Sequence, residues 1–163
     1  MHSHAKHLTA AVIIAAGSPL MSHAETSNNT EANKQLVQAA FDRWRAGTGN
    51  PFELLADDAT WTITGNSAAS KTYETKEAFM EAVIRPFAAR VSKPLVPTMR
   101  NLYADGDTVI ALFDAETMAK DGKPYRNSYA WFMQMRDGKM IKVTAFYDSL
   151  AFDDLWKRVP VTK

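Results

Sequence analysis

Apolar residues return with helical spacing from Glu31 onward. Leu36, Val37, Ala40, Phe41 and Trp44 fall on one stripe, and Gly47 and Gly49 stop it. Asn50-Pro51 reads as a cap followed by a first-turn proline, opening a short helix through Phe52, Leu54 and Leu55. The β-branched run Ala59–Thr64 then predicts a strand with Trp61 and Ile63 on one face. Residues 65–73 are polar and read as a loop. Thr75 caps a second helix that turns Phe79, Val83 and Phe87 inward, with Pro86 ending or kinking it. After Pro94 the period changes from helix to strand. Asp105-Gly106, Asp121-Gly122 and Asp137-Gly138 recur at equal intervals between alternating runs, a strong hairpin signal. They predict strands at 97–104, 108–118, 125–135 and 140–148, followed by a short amphipathic tail from Ser149 to Arg158. Helices and one strand followed by an antiparallel meander make an α+β domain.

The central strand of the meander has an unusual face. Tyr125, Asn127, Tyr129, Trp131, Met133 and Met135 share one side, and Arg126, Ser128, Ala130, Phe132 and Gln134 the other. Plain cores favour aliphatic residues, whereas aromatic walls with a few polar groups suit a lined pocket. If Asp121-Gly122 is a two-residue turn, Asp114 lies opposite Tyr129 and Glu116 opposite Asn127. A two-residue turn at Asp137-Gly138 sets Asn127 against Asp148 and Tyr129 against Phe146; a glycine bulge there sets Asn127 against Tyr147 instead. On this pattern Asp114 and Asp148 are the candidate general acid and base. Tyr129 and Asn127 donate to a substrate oxygen, and Trp61, Trp131 and Tyr147 form walls. The alternative is structural: Asp114 and Glu116 face solvent, Asp148 caps the tail helix, and Trp44 is core.

Composition narrows the chemistry. The apolar run Leu8–Gly17, the break at Ser18-Pro19 and the small-x-small Ser22-His23-Ala24 predict an export leader over 1–24 with cleavage before Glu25. The apolar run falls short of the roughly 20 residues needed to span a bilayer, and the alternative is an uncleaved anchoring segment. Residues 25–30 then form a flexible mature N-terminus and 31–158 the domain, in a periplasmic or secreted setting. All four histidines (His2, His4, His7, His23) lie in that leader, and the chain has no cysteine. Histidine bases, Ser-His or Cys-His triads and ordinary zinc sites are thereby excluded from the mature domain, and no cofactor or metal is expected. The 19 basic and 18 acidic residues nearly cancel, with Lys6 in the leader. A neutral domain without a basic stripe is a poor partner for nucleic acid or, after leader cleavage, for a membrane.

The Asp-Asp-x-x-Trp strand, the Asp-Gly-Lys-x-Tyr-x-Asn-x-Tyr hairpin, the second Asp-Gly-Lys and Phe-Tyr-Asp resemble the SnoaL-like branch of the nuclear transport factor 2-like superfamily over Glu31–Arg158. The resemblance implies a cone-shaped curved antiparallel sheet wrapped by N-terminal helices, an apolar cavity and often a homodimer. It does not choose an activity. The positions where ketosteroid isomerases of this fold carry tyrosine, aspartate base and aspartic acid fall here near Ala40, Thr62 or Ile63, and Trp131. Of the residues used by limonene epoxide hydrolases, only Asp148 has a counterpart, the others falling near Phe113 and Ala115. Dehydratases of the fold rely on histidines. Two expectations follow: a lyase or isomerase using Asp/Tyr acid–base chemistry on a small hydrophobic metabolite, or a non-catalytic ligand-binding or dimeric interaction module.

Overall fold

The computed structural model describes residues 20–161, with side chains from Asn28 onward; most of the expected leader lies outside these residues. Helix α1 spans Leu20–Ala46 and includes the backbone of 25–30. Val37, Ala40 and Phe41 are buried along its stripe. The helix ends in a Schellman turn: Gly47 N–H donates to Trp44 O at 3.1 Å and Thr48 N–H to Arg43 O at 2.9 Å, with Gly47 at φ 70°. Pro51–Leu54 is a 3-10 turn closed by a capping box between Asn50 and Glu53.

The sheet comprises β1 (Leu55–Ile63), β2 (Thr72–Tyr73), β3 (Val96–Asp105), β4 (Thr108–Met118), β5 (Pro124–Arg136) and β6 (Lys139–Tyr147), in the order β2-β1-β6-β5-β4-β3. All neighbours are antiparallel except β1 with β6, which run parallel. The meander β3–β6 is antiparallel throughout, as expected, and the one parallel junction joins it to β1. Between β2 and β3 lie α2 (Lys76–Phe79), a π-helical turn (Met80–Ile84) and α3 (Arg85–Ala88). Thr75 Oγ1 caps this segment by accepting Ala78 N–H at 3.1 Å. Helix α4 (Ser149–Arg158) follows β6 directly. Its C-terminal end is tied down twice: Arg158 pairs with Asp121 of the β4–β5 turn, and the Arg90 guanidinium lies 3.8 Å from the Trp156 ring centroid.

Strand β5 alternates along its length, with Tyr125, Asn127, Tyr129, Trp131, Met133 and Met135 buried. The three Asp-Gly pairs make three different turns. Asp137-Gly138 is the two-residue type I′ turn expected, with φ of 51° and 72°. In the β3–β4 hairpin Asp105 pairs with Thr108, so the turn residues are Gly106 and Asp107. Between β4 and β5, Ala119 N–H donates to Lys123 O at 2.9 Å and Gly122 N–H to Ala119 O at 3.0 Å. That encloses a three-residue loop ending in Gly122 at φ 80°.

The extra loop residue corrects the expected register. Asp114 pairs with Ser128 and Glu116 with Arg126, while Phe113 and Ala115 oppose Tyr129 and Asn127. A one-residue slip moves every side chain to the other face, and both carboxylates lie on the outer one. The β5–β6 register also differs from both alternatives. A bulge at Ile141 pairs Tyr129 with Tyr147 and Trp131 with Ala145.

Because Gly122 holds the left-handed conformation and a Cβ there would meet nothing within 4 Å, Gly122→Ala tests the turn without a steric clash. It is expected to lower unfolding free energy by about 1–2 kcal/mol through backbone strain alone. Denaturant titration, with the slope unchanged, is the measurement.

Candidate functional site

The inner face of the sheet does not close on itself as solid core. Trp61 and Ile63 of β1, Tyr129 and Trp131 of β5, and Ala145 and Tyr147 of β6 floor a cavity of about 220 Å³. Its roof is the helical segment between β2 and β3. A π-helical turn holds one more residue per turn than an α-helix, and here it brings Val83 and Ile84 to the cavity beside Phe79 and Phe87. Trp44, Phe52 and Phe152 close the sides, from α1, the 3-10 turn and α4.

The walls are locked by ring packing. Trp61 stacks on Phe79 with centroids 4.2 Å apart and meets Trp131 edge-on at 5.0 Å. Trp131 lies parallel to Trp44 at 6.0 Å, and Phe113 stacks under Tyr129 at 4.9 Å. Such pairs add to the burial energy of the rings and define their orientation. Trp61 Nε1 is buried with no hydrogen-bond partner among the described residues.

Two hydroxyl systems reach this lining. In the first, Tyr129 Oη lies 2.9 Å from Tyr125 Oη, and Asn127 Nδ2 donates to Tyr125 Oη at 2.9 Å. In the second, Tyr147 Oη lies 2.8 Å from Ser67 Oγ, which lies 2.9 Å from Ser70 Oγ. Burial raises the pKa of Tyr129 well above its ordinary value, and raises those of Tyr125 and Tyr147 as well. Each phenol therefore stays neutral around pH 7, able to hydrogen-bond but not to act as a base.

Of the residues singled out from the sequence, Trp61, Tyr129, Trp131 and Tyr147 meet at the cavity. The other three do not line it. Asn127 is buried, but its amide brackets the backbone of Asp148: Nδ2 donates to Asp148 O at 3.0 Å, and Asp148 N–H donates to Oδ1 at 2.9 Å. Asp148 itself is exposed and caps α4, accepting from Leu150 N–H at 2.9 Å and Ala151 N–H at 3.3 Å. Asp114 sits on the outer face, where Ser128 Oγ donates to it at 2.6 Å and Arg100 Nε at 2.6 Å. The Ser128 hydrogen bond first, then Arg100, hold its carboxyl below the ordinary range. Neither carboxylate expected to act as acid or base lines the cavity: Asp114 lies on the outer face of the sheet and Asp148 at the exposed start of α4.

Two other parts of the site carried little signal. Trp44 read as core, and the Ser67–Ser70 segment had no periodicity to mark it. Among the described residues no group of three or more His, Cys, Asp or Glu could hold a metal ion.

The family model of the SnoaL-like domain matches residues 37–143. The chain belongs to the SnoaL-like family. Solved structures agree on the fold of this SnoaL-like protein. Bal32a, from a soil-derived mobile gene cassette, superposes with a TM-score of 0.64 at 18% identity, over 78% of this chain and 98% of its own. A nuclear transport factor 2-like protein from Burkholderia thailandensis reaches 0.61 at 20% identity, over 76% and 95%. A protein from Bacillus subtilis put forward as an isomerase reaches 0.59 at 20% identity, over 81% and 95%. No curated protein sequence matches. At these identities the likeness establishes the nuclear transport factor 2-like fold alone.

With Asp148 acting as a cap, Asp148→Ala is expected to cost about 1 kcal/mol of stability, and Asp148→Asn much less, since asparagine caps nearly as well. Thermal and denaturant unfolding of the two variants distinguishes this from a role inside the cavity, where both would be equally affected in function and neither in stability.

Proposed function

We propose that this SnoaL-like protein binds a small, predominantly apolar molecule in the aromatic cavity and holds it without carboxylate acid–base turnover. The observation that carries this reading is the lining. Among the described residues it contains no carboxylate, amine or imidazole, and its hydroxyl-bearing members are two phenols that burial keeps neutral. A concave, mostly apolar site with few polar groups is the ordinary form of a small-molecule pocket. Lyase or isomerase chemistry by Asp114 and Asp148 would need those groups beside the ligand, so the non-catalytic alternative is the better supported. In keeping with the leader-like start, the protein is read as working in the periplasm or outside the cell, which an N-terminus at Glu25 in exported material would bear out.

A panel of small aromatic and terpenoid compounds, followed by thermal shift and tryptophan fluorescence, tests the reading. Ala88 is exposed where α3 meets the cavity, so Ala88→Trp is expected to obstruct entry. It should weaken binding at least about tenfold, worth about 1.4 kcal/mol, while leaving the unliganded melting temperature unchanged. If no compound shifts the wild type, the reading fails.

The outer face of the sheet suits a second copy of the chain. Phe132 and Phe146 stand 40% and 46% exposed there, packed edge-to-face at 5.7 Å. Elsewhere on the same face the pairs Arg100–Asp114 and Arg126–Glu116 supply both signs of charge, which suits a self-complementary two-fold interface. Phe146→Lys is expected to convert a dimer to monomer in light scattering; an unaltered mass would remove this face as the interface.

A further inference from the structure

The hydrogen bonds behind the two lining phenols run in opposite directions, one fixed by its partners and the other favoured by burial. Behind Tyr147, Thr64 O can only accept, so Ser70 Oγ–H donates to it at 3.1 Å. Ser70 has no second hydroxyl hydrogen and already accepts Ser67 N–H at 2.9 Å. The 2.9 Å contact between the two serines is therefore Ser67 Oγ–H donating to Ser70. With the Ser67 hydrogen assigned, the 2.8 Å contact to Tyr147 is the phenol donating to Ser67. Tyr147 is left with lone pairs only.

Behind Tyr129 the anchor is the Asp148 backbone. Its N–H and C=O fix which end of the Asn127 amide is oxygen and which is nitrogen. Nδ2 then donates to Tyr125 Oη. Between Tyr125 and Tyr129 one hydrogen bond is shared by two phenol hydrogens, so one hydrogen is left over. Tyr125 is 2% exposed and does not line the cavity. A donor left unsatisfied there would keep the full penalty of its lost hydration. The favoured arrangement has Tyr125 donating to Tyr129, which leaves the Tyr129 hydrogen as the spare donor.

Tyr129 and Tyr147 are direct cross-strand partners with ring centroids 6.0 Å apart. We infer that the cavity selects neutral apolar molecules that carry a carbonyl and a hydroxyl close together, the carbonyl accepting from Tyr129 and the hydroxyl donating to Tyr147. The inference rests on the ligand-binding reading and adds the ligand's polar pattern to it. Ser67 is a positioning residue: it does not line the cavity, but it sets Tyr147 as an acceptor.

Three probes with one carbon skeleton test it: ethylbenzene, acetophenone and phenacyl alcohol, which have neither group, the carbonyl, and the carbonyl with an adjacent hydroxyl. Calorimetric titration of the wild type is expected to show phenacyl alcohol binding about tenfold more tightly than acetophenone. Tyr129→Phe should weaken both oxygenated probes by a similar factor and keep their ratio. Tyr147→Phe should bring the ratio close to one. Ser67→Ala should tighten acetophenone and so narrow the ratio while leaving ethylbenzene binding unchanged, because the released Tyr147 hydrogen can then donate to the carbonyl without altering the lining. Ethylbenzene binding as tightly as phenacyl alcohol in the wild type, or a ratio that Tyr147→Phe and Ser67→Ala leave untouched, overturns the inference while the pocket stands. Failure of all three probes, ethylbenzene included, overturns the ligand-binding reading and this inference with it.

Discussion

The pairing register of β5 with its two neighbours is the constraint on which everything else depends. Side chains alternate across a strand with a period of two, so parity decides which groups are desolvated and which are solvated. The three-residue loop ending at Gly122 sets the parity on the β4 side and puts Phe113 under Tyr129. A two-residue loop would have put Asp114 there, at the large cost of desolvating a carboxylate among aromatic rings. The bulge at Ile141 sets the other side and brings Tyr147 beside Tyr129. Both adjustments point the same way: Phe113, Tyr129, Trp131 and Tyr147 share the inner face, and Asp114 and Glu116 lie on the outer one.

The cavity is a consequence of large rings meeting a roof with a widened helical turn. The rings contact one another edge-to-face or stacked, and such arrangements leave space that aliphatic side chains would fill. The roof is held away from the sheet by Phe79, which stacks on Trp61, and the π-helical turn after it directs Val83 and Ile84 onto the space rather than through it. On the far side Phe152 reaches the cavity because α4 starts immediately after β6. The Asn127 bracket on the Asp148 backbone and the Asp148 cap on Leu150 and Ala151 together make that abrupt change of direction.

Polar groups near the site are thus divided by task. Asn127 and Asp148 organise backbone, and Ser67, Ser70 and Tyr125 organise hydroxyl hydrogens. Of the residues in these hydroxyl networks, Tyr129 and Tyr147 are the ones that line the cavity. Desolvation keeps both phenols neutral, which suits recognition of a neutral polar pattern better than proton abstraction.

Much of this was written in local pattern. The alternation over Tyr125–Met135, the Asp-Gly turns, the Thr75 and Asn50 caps and the α1 stripe determined the strands, the helices and the aromatic inner face, because periodicity and capping act between residues close in the chain. The lack of histidine and cysteine after His23 likewise settled which side-chain chemistries the domain lacks. Asp114, Asn127 and Asp148 could not be placed the same way. Whether a carboxylate shares a face with Tyr129 turns on one residue of loop length and one bulge, and a single Asp-Gly dipeptide is compatible with either parity. The meeting of Ser67 with Tyr147, and of Asn127 with the Asp148 backbone, joins segments far apart in sequence. Only the tertiary structure decided those, because hydrogen-bond direction depends on which partners the folded chain brings within reach.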